Sequence, residues 1–170
     1  MLKLTSKENN TMKFLFQIAL TIAICWCATT AVWAQKSAKK LPDFKFYDLK
    51  GNVFTAKQVN YDIYLTVVYF DPSCEHCEKV TKDIVANIGK FKNTKMVWVS
   101  FGDAKQIAEF QNKYLKGNKN MIFLHDKNMK IFDFYPDAED TPTIYVYDKN
   151  KTQIAKLGEV AAKDIYKCYK

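Results

Sequence analysis

The residues in this chain best suited to chemistry are Cys74 and Cys77, separated by Glu75 and His76. Two sulfurs spaced i and i+3 at a helix start can close a small disulfide ring, and the thiolate is the reactive form of either. The run before them, Ile63 to Phe70, is apolar and β-branched, as in a strand covered on both faces. Asp71-Pro72-Ser73 breaks that strand, and a helical pattern follows. Free N–H groups and the dipole at a helix N-terminus lower the pKa of a thiol placed there. Cys74 is therefore expected to attack, and Cys77, one turn down the helix wall, to resolve. The residues between them pull in opposite directions. An imidazole at His76 would stabilise the Cys74 thiolate and make the disulfide more oxidising, while a carboxylate at Glu75 would raise the thiol's pKa.

Other uses of the two sulfurs fit less well. A zinc site needs four ligands as a rule, and beyond the pair only Cys168, His76 and His125 remain outside the apolar leader that holds Cys25 and Cys27. No metal is expected. Glu78, not His, follows Cys77, which excludes covalent haem attachment. One pair plus an odd thiol is not the framework of a disulfide-stapled secreted domain. Cys168 reads as a buried small residue on a terminal helix, His125 as a loop residue, and Phe132, Phe134 and Tyr135 as core. All 26 basic residues are Lys, and the net charge of +8 is spread along the chain. Without Arg or an aromatic-interleaved basic stripe, nucleic-acid binding is not expected.

The elements that must position the pair can be read in order. Residues 1–34 have a polar, lysine-bearing start and an apolar stretch from Phe14 to Trp33, with small residues before a cleavage point after Ala34. This is the layout of a secretory signal peptide, with an uncleaved anchor as the rival, so the domain is expected to be exported and to touch a membrane only through such an anchor. Residues 35–40 read as a linker and 41–170 as one domain. Leu41 to Phe54 alternates around Lys50-Gly51-Asn52 as a β-hairpin. The strand at Ile63–Phe70 leads to the cysteines, and Val80, Ile84, Ile88 and Phe91 recur at helical spacing, predicting a helix to about Lys90. A strand at Lys95–Phe101 follows, then a helix capped by Asp103 with Ile107, Ala108, Tyr114 and Leu115 inward. A short strand at Met121–Leu124, an ambiguous stretch at Lys127–Tyr135, a hairpin of Thr143–Tyr147 with Thr152–Leu157, and a terminal helix complete the chain. This order predicts an α/β fold with a central mixed sheet flanked by helices.

From Leu41 onward the chain resembles the thioredoxin-like superfamily, and within it the exported TlpA/ResA-like thiol-disulfide oxidoreductases with an AhpC/TSA-redoxin-like domain. The resemblance rests on the Pro42-Asp43-Phe44 hairpin with Asp48-Leu49-Lys50-Gly51, the strand leading into Cys74-Glu75-His76-Cys77, and Asp140-Thr141-Pro142-Thr143 opening a late strand. It implies a thioredoxin-like fold with an N-terminal β-hairpin extension, and a cis Thr141–Pro142 bond facing the cysteines. Thr141 and Pro142 would then hold a substrate strand by backbone pairing. It also implies disulfide exchange with envelope proteins that carry disulfides or dithiols, a thiol protein as electron donor or acceptor, and no cofactor. Two positions depart from the pattern. Ser73 stands where a Trp usually precedes the first Cys. Val68 and Val80 occupy the places where a buried acid assists the second thiol, leaving Glu75 and Glu78 as the nearby acids. The alternatives are a peroxiredoxin-like peroxidase and a copper-binding chaperone. Asp71 at the Thr/Ser position and the lack of Arg argue against the first, and the narrow cysteine spacing against the second.

Overall fold

The computed structural model describes residues 39–169. The leader assigned to 1–34, with its signal-peptide and anchor readings, lies outside the described residues, as do residues 35–38 of the linker. Seven strands form one sheet: β1 (Lys45–Asp48), β2 (Val53–Thr55), β3 (Tyr64–Tyr69), β4 (Thr94–Ser100), β5 (Met121–His125), β6 (Thr143–Tyr147) and β7 (Gln153–Leu157). The helices are α1 (Glu75–Ala86), α2 (Ala104–Tyr114), α3 (Ile131–Phe134) and α4 (Ala162–Tyr166). The strand order is β2-β1-β5-β4-β3-β6-β7. The β3–β4 and β4–β5 pairs are parallel and the rest antiparallel, so the sheet is mixed.

The central strands are apolar on both faces because both faces are covered, and their side chains alternate with period two between the two cores. On one face Val68, Met96, Trp98, Ile144 and Val146 meet Val80 and Ile84 of α1, Ile107 and Phe110 of α2, and Ile165 of α4. On the other, Leu65, Val67, Val97, Val99, Tyr145 and Tyr147 meet Phe44, Phe46, Ile131 and Tyr135. Trp98 anchors the first core: its ring stacks on Phe123 with centroids 5.7 Å apart and takes Phe70 edge-on at 5.5 Å.

Several expectations need correction. Lys39 and Lys40, assigned to the linker, already belong to the fold: Lys40 bridges Thr152, and Gln153 N–H donates to the Lys39 carbonyl at 2.8 Å. The helix after Cys77 stops at Ala86, and Ile88–Phe91 tightens into a 3₁₀ turn. Asn87 accounts for the stop, since its side-chain amide donates to the Asp83 carbonyl at 2.9 Å and competes with a further helical turn. Ile88 is consequently exposed rather than inward. On α2 and just past its end, Ile107 and Leu115 are buried and Tyr114 packs against the same core as expected, but Phe110, not among the expected inward residues, is buried, and Ala108 is only half-buried. The ambiguous stretch resolves into α3 because the buried Asp126 carboxylate accepts the N–H groups of Lys130 at 2.8 Å and Ile131 at 2.7 Å. Tyr135 is core, but Phe132 is exposed. His125 ends β5 rather than lying in a loop. Cys168 is half-buried in the turn after α4, its thiol donating to the Asp164 carbonyl at 3.3 Å.

Candidate active site

The site is built at the C-terminal end of β3. Asp71 accepts hydrogen bonds from the backbone N–H and hydroxyl of Ser73, at 2.8 and 2.7 Å, and closes the turn that leaves the strand. The turn packs on the β4–α2 loop so closely that a Cβ at Gly102 would stand 3.1 Å from Pro72 Cδ and 3.2 Å from Ser100 Oγ. A side chain there would push one of the two loops back by a few tenths of an ångström. Cys74 is the N-cap of α1, and its sulfur accepts the Cys77 N–H at 3.4 Å.

The two thiols stand in opposite environments. Cys74 is half-buried and Cys77 is 1% exposed within the core. Partial burial works to raise the Cys74 pKa. Hydrogen bonds from Cys77, from the Thr141 side chain and from the His76 backbone N–H outweigh it, and the thiol falls below its ordinary 9.0. Burial pushes the Cys77 thiol up to about 12. The Asp71 N–H and the Thr141 side chain offset this only in part, and the nearby Cys74 sulfur adds to the rise. Both cysteines are thiols in this structure, as is Cys168.

Opposite the pair, the Thr141–Pro142 peptide bond is cis. The Cys74 thiol donates to the Thr141 carbonyl at 3.5 Å. A cleft of about 600 Å³ opens beside this loop, between Asp140–Thr143, the Lys156–Glu159 segment at the sheet edge, and His76. An antiparallel sheet edge next to a sulfur is suited to holding an extended chain by backbone hydrogen bonds.

Among the residues assigned to tuning, the His76 and Glu78 side chains have charged partners of their own. Glu75 is exposed. Glu78 is partly exposed and pairs with Lys82 at 2.6 Å and with Lys113 of α2 at 3.8 Å, so it is no buried acid for Cys77. Val68 and Val80 are both buried in the core cluster that contains Cys77. His76 Nδ1 lies 2.7 Å from a Glu159 carboxylate oxygen, and the group His76 offers to Cys74 is its backbone N–H. Sequence reasoning missed Glu159 and the backbone N–H of Asp71. The first is 83 residues from His76 and the second carries no side-chain signal, so neither could be found by motif. Among the described residues no group of three or more His, Cys, Asp or Glu is placed to hold a metal ion. Among the same residues no helix is long and apolar enough to cross a membrane.

Comparison with known proteins agrees with this architecture. The AhpC/TSA family model matches residues 38–155. No curated protein matches the chain by sequence. A thioredoxin-like protein from Aeropyrum pernix superposes with a TM-score of 0.63 at 12% identity, over 74% of this chain and 87% of its own. A secreted Mycobacterium tuberculosis disulfide oxidoreductase homologous to E. coli DsbE gives 0.62 at 16% identity, over 75% of this chain and 94% of its own. DsbF from MTB gives 0.63 at 16% identity, over 78% and 97%. At these identities the likeness establishes the thioredoxin-like fold.

Proposed function

The chain belongs to the AhpC/TSA family, and from that premise we propose that it is a thiol-disulfide oxidoreductase acting on exported protein substrates through Cys74 and Cys77. The observation that carries the reading is the asymmetry of the pair: a half-exposed thiol with a lowered pKa at a helix N-cap, above a buried thiol raised to about 12.

In the reducing direction the Cys74 thiolate attacks one sulfur of a substrate disulfide. The substrate S–S bond breaks, one substrate thiolate leaves, and a mixed disulfide forms at Cys74. The Cys74 charge is then gone, and with it one of the causes that keep Cys77 protonated. Cys77 gives up its proton and attacks the Cys74 sulfur. The second substrate thiol departs, and the Cys74–Cys77 disulfide retains the two-electron oxidation. Thr141 and Pro142 hold the substrate backbone meanwhile, and a thiol protein restores the dithiol. The oxidising direction runs the same steps backwards. No step calls for a cofactor.

Family membership also favours a second reading, a peroxide-reducing thiol enzyme. In that reading a Thr or Ser hydroxyl would assist at position 71. Here Asp71 occupies it, with one carboxylate oxygen engaged by Ser73. The distinguishing experiment compares turnover of insulin disulfides, with dithiothreitol as reductant, against turnover of hydrogen peroxide under the same conditions. Disulfide turnover well above the uncatalysed rate with negligible peroxide consumption is expected. Peroxide consumption of equal or greater efficiency would replace the first reading by the second.

A further inference from the structure

Glu159, in the loop between β7 and α4, reaches back to the first turns of α1. One of its carboxylate oxygens lies 2.7 Å from His76 Nδ1 and the other 2.8 Å from Lys79 Nζ. His76 and Lys79 are three apart and share a face of α1. Four residues beyond Lys79, the Asp83 carboxylate accepts the Ala162 N–H at 2.6 Å. The segment from Glu159 to Ala162 is thus fastened along one stripe of α1, from the turn bearing the cysteines downward.

This fastening fixes where the imidazole sits. In sequence His76 stands between the two cysteines, where a freely turning imidazole could swing toward the Cys74 sulfur. Instead its ring is tied to a carboxylate on the wall of the cleft beside Pro142. The other charged groups facing this cleft are Glu139, Asp140 and Lys156. Of these, Lys156 is engaged elsewhere, its ammonium meeting the Asp137 carbonyl. The hydrogen bond from Lys79, opposed by partial desolvation and supported by the neighbouring His76, keeps the Glu159 carboxyl below the usual carboxylate range.

We propose that Glu159 is a positioning residue that holds the His76 imidazole away from the Cys74 sulfur and so makes the Cys74–Cys77 disulfide less oxidising than it would be with the imidazole free to turn toward that sulfur. The inference rests on the thiol-disulfide reading above and names a regulator of that same pair.

A double-mutant cycle tests it. The wild-type domain, Glu159→Gln, His76→Ala and the double variant are equilibrated in glutathione buffers of varied ratio, and the Cys74–Cys77 disulfide is measured by mass spectrometry. Each disulfide formed passes two electrons to oxidised glutathione, which leaves as two glutathione thiols. Thiolate absorbance across pH gives the Cys74 titration in parallel. Glu159→Gln removes a negative charge in either background, so only the difference between backgrounds reports on His76. The expected result is a shift of the equilibrium constant toward the dithiol in Glu159→Gln that exceeds the shift in the His76→Ala background by about threefold or more, with a matching fall of the Cys74 titration midpoint. Equal shifts in the two backgrounds, or none, would overturn the proposal. If the wild-type protein forms no Cys74–Cys77 disulfide at any glutathione ratio, the exchange reading itself fails, which is a distinguishable result. Glu159 is partly exposed, and circular dichroism of each variant checks that the four proteins share one fold.

Discussion

The opposed environments of the two thiols make a quantitative prediction about alkylation. Cys77 titrates near 12 and Cys74 below 9.0. At pH 7 the ionised fraction of Cys74 therefore exceeds that of Cys77 by a factor of at least about 1,000. The less basic thiolate is intrinsically the weaker nucleophile, and with a Brønsted coefficient of about 0.5 this returns about 30-fold of the advantage. A net preference of at least about 30-fold for Cys74 is left before access is considered, and the burial of Cys77 can only widen it. Reduced protein would be treated with limiting iodoacetamide at pH 7, quenched at intervals, and the modified cysteine assigned by peptide mass spectrometry. Cys168 serves as an internal comparison. Its thiol is raised by partial burial and by the Asp164 carboxylate, so it should also lag behind Cys74. Alkylation of Cys77 within a few-fold of the Cys74 rate, or Cys168 reacting first, would refute the assigned asymmetry.

Further outcomes follow from other contacts. Thr141→Val removes a side-chain hydrogen bond from Cys74 while leaving the backbone in place. The Cys74 thiolate fraction at pH 7 should fall about three- to tenfold, as read by thiolate absorbance. Asp126→Ala leaves the N–H groups of Lys130 and Ile131 without their acceptor and should destabilise the domain by about 2–3 kcal/mol in urea unfolding. The stability of the reduced form should also depend on pH above 9. Burial raises the folded-state pKa of Cys77 above its ordinary 9.0, to about 12, so the stability it contributes is full below pH 9 and is lost as pH rises toward 12. Cys74, with its lowered value, adds no slope above pH 9. The reduced protein should thus lose about 1.4 kcal/mol per pH unit relative to the oxidised protein between pH 9 and 11, and parallel urea midpoints for the two forms would contradict this.

The pair, the strand that presents it and the loop opposite were legible in the sequence because each carries a local signature. Val67, Val68 and Phe70 announce a strand covered on both faces, Pro72 its end, and Pro142 a turn before an unmistakably apolar strand. Boundaries were less legible where a side chain competes with the backbone. Nothing in the periodicity of Ile84, Ile88 and Phe91 reveals that Asn87 ends the helix through Asp83. The environment of His76 was illegible for a different reason. Its ring is paired with Glu159, which lies beyond four strands and two helices in sequence, so no local motif reveals this partner. That Val68 and Val80 stand where a buried acid would assist Cys77 was legible, but the Asp71 backbone N–H that partly offsets the effect of burial on Cys77 was not, because any residue at position 71 other than proline would supply it.

The most direct test of the central claim is a trapping measurement. Cys77→Ser removes the resolving thiol but keeps the backbone N–H that lies 3.4 Å from the Cys74 sulfur. The full chain carrying this substitution would be expressed in its native host and acid-quenched. Disulfide-linked species would be separated by non-reducing electrophoresis and their junctions mapped. The account predicts mixed disulfides with exported proteins joined through Cys74, absent from the Cys74→Ser counterpart. Equal patterns from the two variants, or junctions at Cys168, would contradict it.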